Sequence, residues 1–319
     1  MRSALEPAAS PELGGIRLLR AIAAAGAILV MAILASSAYI RLTQAGLGCA
    51  PWPACYGTFS GGDDVDFARA VHRATASIAG ILAIALAIAG WNVATDRKAM
   101  RRTALGLLAL VAFLAVLGRS TTGSTLPAVT LGNVLGGMAM LALFARVSWI
   151  GASTYRVFGG PSQGAWTSLR LVAACAFVLV LLQIALGTLV STRLAGAACG
   201  ADPFCAGAVV FDAALLDPFR AVERLDPVAP SLAALQLLHR AFGIFTLASF
   251  IWAAWRCAPY RGALRTAGFA MPVLGAVAIA LAWFGSAHEL PRILSLLHNA
   301  LAAMLLALAA NLNMAAWHR

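Results

Sequence analysis

The chain has 319 residues, of which 61% are hydrophobic and only 11% charged, with a mean hydropathy of +0.86. That leaves too little polar surface for a water-soluble domain of this length and places the chain in a lipid bilayer. The formal net charge of +11 punctuates apolar runs and is not gathered into a patch or stripe, which excludes nucleic acid as a partner.

About 20 apolar residues are needed to cross the hydrocarbon core. Predominantly apolar intervals supply them at 18–41, 70–94, 103–119, 124–148, 168–191, 232–255, 266–287 and 292–316, the third short and the sixth interrupted by His239 and Arg240. The first run lacks a small-residue cleavage site close after a short apolar stretch and reads as a retained helix. Arginine and lysine set the orientation. Arg17 and Arg20 precede the first span, Arg97, Lys98, Arg101 and Arg102 separate the second and third, Arg146 and Arg156 follow the fourth, and Arg256, Arg261 and Arg265 follow the sixth. These connections and both termini are expected to be cytoplasmic. The loops bearing Asp63, Asp64 and Asp66, and Asp202, Asp212, Asp217, Glu223 and Asp226, are then extracytoplasmic.

Four of the six cysteines lie in those two outer loops, Cys49 with Cys55 and Cys199 with Cys205. On the oxidising side of a membrane this spacing reads as two local disulfides, with redox-active thiols as the alternative. The two loops also repeat one another. AYIRLTQAGLGCAPWPACYG at 38–57 and TLVSTRLAGAACGADPFCAG at 188–207 share Ala45-Gly46 with Ala195-Gly196, both cysteines, Pro53 with Pro203 and the closing glycine at one constant offset. Each loop is followed by a span carrying a His-Arg pair, His72-Arg73 and His239-Arg240. The expected architecture is therefore an all-α membrane protein of eight transmembrane helices, built as two tandem four-helix bundles, residues 1–150 and 151–319, related by a pseudo-twofold axis near the membrane normal.

Ionisable groups inside a membrane are costly and face a bundle interior or a site. For an isolated histidine, a satisfied hydrogen-bonding residue is the ordinary explanation. His239 and His298 form a pair: both their spans run inward, and each residue lies roughly seven positions past its outer boundary, about 10 Å deep at 1.5 Å per residue. Two neutral imidazoles facing each other at one level suit the iron of a heme. Arg73 and Arg240 lie on the side where the charge rule disfavours arginine, and each can bind a heme propionate in a fork, interfacial snorkelling being the alternative. His288 reads as a solvated loop residue.

RLTQAGLGCAPWPACYG at 41–57 resembles the first-loop signature of heme A synthases. The second cysteine loop, LQLLHRAFGIF at 235–245 and SLLHNALAAML at 295–305 resemble that family's second half. The resemblance covers nearly the whole chain. It implies a multi-pass protein of the cell inner (cytoplasmic) membrane that holds heme b through His239 and His298. Heme O, received in the N-terminal half with His72 as a ligand to its iron, is oxidised at the methyl of pyrrole position 8 to the formyl group of heme A, with oxygen from water. A heme O synthase and a quinone or other electron acceptor are the implied partners.

Two positions depart from the family pattern. Asn133 stands at or next to the place of a second N-terminal histidine, and Arg69 replaces a glutamate three residues before His72, leaving Asp66, one turn earlier, as a candidate acid. The competing readings are a non-catalytic heme-binding assembly protein that has lost the N-terminal site, a membrane electron-transfer cytochrome b, and a transporter. The last lacks broken helices with midplane acids.

Overall fold

A computed structural model describes residues 11–46, 63–93, 97–119, 124–150, 163–205, 207–223, 225–226, 229–288 and 290–317; within its helices the side chains of 11–13, 44–46, 63, 66, 92–93, 119 and 163 are outside the description. Among these residues every regular element is a helix, and there are no strands. Eight helices are long and apolar enough to cross a membrane. They are α1 (Pro11–Gly46), α2 (Asp63–Val93), α3 (Arg97–Arg119), α4 (Pro127–Trp149), α5 (Gln163–Thr192), α6 (Pro230–Cys257), α7 (Ala263–Ala287) and α8 (Arg292–Trp317). Each apolar interval identified in the sequence corresponds to one of them; α4 starts three residues later than the expected 124–148, residue 94 falls outside the described residues, and several helices run past the apolar stretch. At 1.5 Å per residue the 36 residues of α1 span roughly 54 Å, well beyond a hydrocarbon core of about 30 Å.

Proline marks where several helices begin. Pro127 and Pro230 stand in the first turns of α4 and α6, where the missing N–H would have had no helical partner. Gly262, at φ +67°, turns the chain into α7 from a conformation that a side chain would strain.

The helices close into two rings with the same order. α1 packs on α2 and α4, α2 on α3, and α3 on α4; α5 packs on α6 and α8, α6 on α7, and α7 on α8. The rings meet where α4 lies against α5 and α8, and α1 against α8. That position explains why α4 is the most buried of the eight spans and carries apolar residues all round. Its small residues admit neighbours closely: a Cβ on Gly136 or Gly132 would lie 2.7 Å from Leu114 or Leu117 of α3, and one on Gly137 would lie 2.9 Å from Leu34 of α1.

Large apolar side chains such as Ile28, Ile88, Val116, Ile251 and Trp255 cover the outer surface of the bundle, a surface that lipid, not water, can solvate. Toward one end, arginines lie over aromatic rings: Arg101 over Trp91 at 4.9 Å, Arg170 over Trp317 at 5.4 Å and Arg256 over Trp255 at 5.7 Å. Such pairs suit the boundary between hydrocarbon and headgroups.

At the other end the α5–α6 connection folds into a cap. Arg193, buried at the exit of α5, donates to the carbonyls of Leu215 and Asp217, each at 2.8 Å, and so holds the short 3-10 turn Ala213–Leu216. Burial first, and then the nearby Arg220, lowers the Arg193 pKa from the usual arginine value. The connection also crosses to the first ring: Val222 N–H donates to the Thr125 carbonyl at 3.0 Å, and Ala128 N–H to Pro218 at 2.8 Å.

Candidate functional site

In the second ring α6 and α8 occupy diagonal corners, joined on either side by α5 and α7. Diagonal helices of a four-helix ring stand apart, and side chains they turn inward border whatever space the ring encloses. His239 of α6 and His298 of α8 line one such cavity, of about 850 Å³. That volume lies in the upper part of the roughly 300–1,000 Å³ typical of ligand pockets.

His298 Nδ1 lies 2.9 Å from the carbonyl of Ala278 on α7. A carbonyl only accepts, so Nδ1 carries the proton and the neutral ring keeps its lone pair on Nε2. His239 is held differently. Its Nε2 lies 3.5 Å from Gln183 Nε2 of α5, while its Nδ1 is buried with no hydrogen-bond partner. Gly187, one turn further along α5, makes room for the ring: a Cβ there would stand 2.8 Å from His239 Cε1. Gly243 does the same for Gln183, at 3.3 Å from its Nε2.

The cavity wall is mostly apolar, with Ile184, Leu247, Phe250, Ile279 and Trp283 among its members. Among the described residues its charged members are Arg41, Arg240 and Arg292, and none of them is a carboxylate. An apolar body carrying negative groups at one edge matches this lining. Two imidazoles bordering one cavity, one with its lone pair directed by a backbone carbonyl and the other beside a glycine cradle, together fit a metal held between two histidines.

Arg240 lines the cavity but also ties down the cysteine loop. Its guanidinium donates to the carbonyls of Asp202 and, at 3.0 Å, Gly200, inside the loop closed by the Cys199–Cys205 disulfide, whose Cα atoms are 4.5 Å apart. Leu194 and Leu290, both lining the cavity, adopt φ of +59° and +54°. Bulky residues rarely take that conformation, and their surroundings must hold them in it.

The first ring has a different character. His72 of α2 faces α1, its Nδ1 3.4 Å from Ser36 Oγ and 3.3 Å from the Ile33 carbonyl. It lines neither the large cavity nor the small pocket bordered by α1, α4 and α8. Asn133 stands on α4, the diagonal corner from α2, and donates to the Val129 carbonyl at 3.0 Å. Arg73 is exposed and Arg69 half-buried. Position 66 lies in α2 with its side chain outside the described residues, and Cys49 and Cys55 fall outside them altogether. His288 is exposed, donating from Nδ1 to the Phe284 carbonyl at 2.8 Å with its ring stacked on Phe284.

Sequence reasoning found both cavity histidines and Arg240. It missed Gln183, Gly187, Arg41, Arg292 and Asn299. A glutamine and a glycine one turn apart on an otherwise apolar span are a legible signal for Gln183 and Gly187, whereas Arg41 reaches the cavity only because α1 packs on α8.

The sequence over residues 67–310 matches the family described as cytochrome oxidase assembly protein. The chain is similar to a heme A synthase of Shewanella oneidensis, 24% identical over 320 residues and covering 92% of this chain and 94% of that protein. It is also similar to a heme A synthase of Methylobacterium nodulans, 32% identical over 167 residues, which cover 49% of this chain and 45% of that one.

Proposed function

We propose that this chain, which belongs to the cytochrome oxidase assembly protein family, is a heme A synthase of the cell inner membrane, holding heme b in its second half and oxidising heme O in its first. The observation that carries this reading is the pair His239 and His298, brought from diagonal helices to one large apolar cavity whose charged lining, among the described residues, is arginine. Both relatives named above bear the heme A synthase name.

In this reading His239 and His298 would hold the heme b iron, and the arginines at the cavity would neutralise its propionates. Heme b supplies an electron-accepting centre. The residues around it orient the imidazoles and keep lipid and water out of the ring. The Cys199–Cys205 loop, pulled down by Arg240, closes the extracytoplasmic mouth. Orientation follows the arginine distribution, with both termini cytoplasmic, and residues 1–150 and 151–319 are two related four-helix units.

Heme O is the substrate, taken up in the first half with His72 as a ligand to its iron. Ser36 and Ile33 engage Nδ1 of that ring and leave Nε2 as the coordinating nitrogen, the arrangement His298 has with Ala278. Conversion of the methyl group to formyl consumes one water and releases four electrons and four protons. An external acceptor such as a quinone takes the electrons. Asp66 is the candidate proton acceptor on α2, Arg73 the candidate propionate partner, and a heme O synthase the supplier of substrate.

The test is co-expression with a heme O synthase followed by chromatographic analysis of extracted hemes. Heme A accumulates if the reading is right, and heme O alone contradicts it. A second reading is favoured by one observation: Asn133 occupies the corner diagonal to His72, and no histidine occurs between His72 and His239. A non-catalytic heme-binding assembly protein would keep the heme b spectrum and make no heme A.

A further inference from the structure

α7 presents to α6 a series of small residues at heptad spacing, Gly268, Gly275 and Ala282. The two glycines are packed tightly. A Cβ on Gly268 would stand 2.5 Å from Cys257 Cβ, and one on Gly275 would stand 3.2 Å from Phe250 and 3.3 Å from Leu247. Ala282 continues the same face of the helix, yet it is exposed where both glycines are buried, and it lines the large cavity. The seam between α6 and α7 is therefore closed from Gly268 to Gly275 and parted beyond it.

The side chains flanking the gap show which way it leads. Ile244 stands one heptad before Ile251 on α6, and Trp283 continues the heptad series of Phe269 and Ala276 on α7. Ile251, Phe269 and Ala276 are exposed on the outside of the bundle, so both stripes face lipid. Ile244 and Trp283 are 65% and 52% exposed and nevertheless line the cavity. The cavity thus reaches the lipid-facing surface between them.

The opening is polar at one end and apolar at the other. Toward the disulfide loop it is bounded by Arg240 Nη2, which donates to Ser286 Oγ at 3.5 Å, and at the far end by Gly275 against Leu247 and Phe250. From Gly275 to Ser286 the helix rises roughly 16 Å at 1.5 Å per residue. An amphiphile dissolved in the leaflet on the loop side keeps its charged groups at the headgroups and its apolar body toward the midplane. That is the order of the window, so such a molecule enters sideways without turning over. The end of the cavity nearest the loop is obstructed instead, because Arg240 also holds the carbonyls of Gly200 and Asp202 there.

We propose that the cavity of the second half is loaded from the bilayer through a lateral window between α6 and α7, framed by Ile244, Ala282 and Trp283, by a carboxylate-bearing tetrapyrrole dissolved in the membrane. The identity of that ligand rests on the reading that the cavity holds heme. Once seated, the ring system fills the opening with its own edge and shuts lipid out. The window side chains then set how fast the ligand exchanges.

The test uses the full-length protein, produced free of heme and reconstituted into phosphatidylcholine vesicles, with protoheme supplied already dissolved in the vesicles. Growth of the low-spin spectrum gives the loading rate, and transfer to apomyoglobin gives the rate of loss. Ile244→Trp, which narrows the window from its outer side, should slow both at least about tenfold, with wild-type heme content and spectrum once loaded. Trp283→Ala should speed both, and it carries the test if Ile244→Trp fails to fold. Ile251→Trp, on the same stripe but outside the cavity lining, should behave as wild type. Two rates that move together at constant occupancy mark a passage. Wild-type rates in either window variant, equal slowing in Ile251→Trp, or a lower heme content in Ile244→Trp with no change in loading rate would overturn the inference. A wild-type protein that develops no low-spin signal would instead overturn the reading beneath it.

Discussion

His298 and Ala278 are joined by a hydrogen bond of 2.9 Å from the imidazole Nδ1 to a backbone carbonyl of the adjacent helix α7. The bond selects the tautomer, sets the ring plane and raises the basicity of the remaining nitrogen, which are the tasks of an outer-shell partner at a metal site. Because the acceptor is a backbone group, no side-chain substitution removes it directly, and the ring itself is the place to test. His298→Ala is expected to abolish the low-spin heme signal of the purified protein while leaving its helical content intact, measured by reduced-minus-oxidised spectra and circular dichroism.

Gly187 faces the other imidazole. A methyl group on residue 187 would stand 2.8 Å from His239 Cε1, so the ring must tilt or the helices must separate. Gly187→Ala is expected to lower heme content and to destabilise the protein by about 1–3 kcal/mol, the usual range for overpacking. Gly164→Ala, with nothing within 4 Å of the added carbon, is the control that should change neither quantity.

Much of this was legible in the sequence, and the reason is physical. Long apolar runs must become helices in a bilayer, so eight such intervals became eight helices, and the few charged or polar residues inside them stood out. His239 and His298 could be paired because their depths follow from residue counts. Arg41 could not be assigned that way. Its helix is apolar on all sides, so no stripe indicates which neighbour it packs on, and the repeat aligns it with Ser191, which implies nothing about a site in the other ring. Arg193 was hidden likewise, since its partners are backbone carbonyls more than 20 residues away in sequence.

The Cys199–Cys205 disulfide closes a short loop, for which chain entropy gives about 2 kcal/mol. Cys199→Ser with Cys205→Ser is expected to lower the melting temperature by several degrees and to accelerate proteolysis within 195–229. Heme release should rise as well, because Arg240 then loses ordered carbonyls to hold. Differential scanning fluorimetry and limited proteolysis measure these changes.

Arg193→Ala removes two hydrogen bonds of 2.8 Å from a buried guanidinium and leaves carbonyls of the 3-10 turn unsatisfied. A loss of about 2–4 kcal/mol is expected, confined to the cap formed by the α5–α6 connection and seen as faster amide exchange over 213–222 with the spans still protected. Uniform exchange across the whole chain would contradict a local role.

Asn133 stands on the helix diagonal to the one bearing His72, as His298 stands relative to His239. Asn133→His is therefore expected to add a second low-spin signal when heme O is supplied, with the first signal unchanged. Optical and paramagnetic resonance spectra of the same sample distinguish one such centre from two.

The account turns on one iron shared by two imidazoles, and paramagnetic resonance of the purified ferric protein reads that ligation directly. The wild type should give the low-spin pattern of paired histidine ligands at one heme per chain, and both His239→Ala and His298→Ala should lose it. An unaltered low-spin spectrum in both variants would contradict the account.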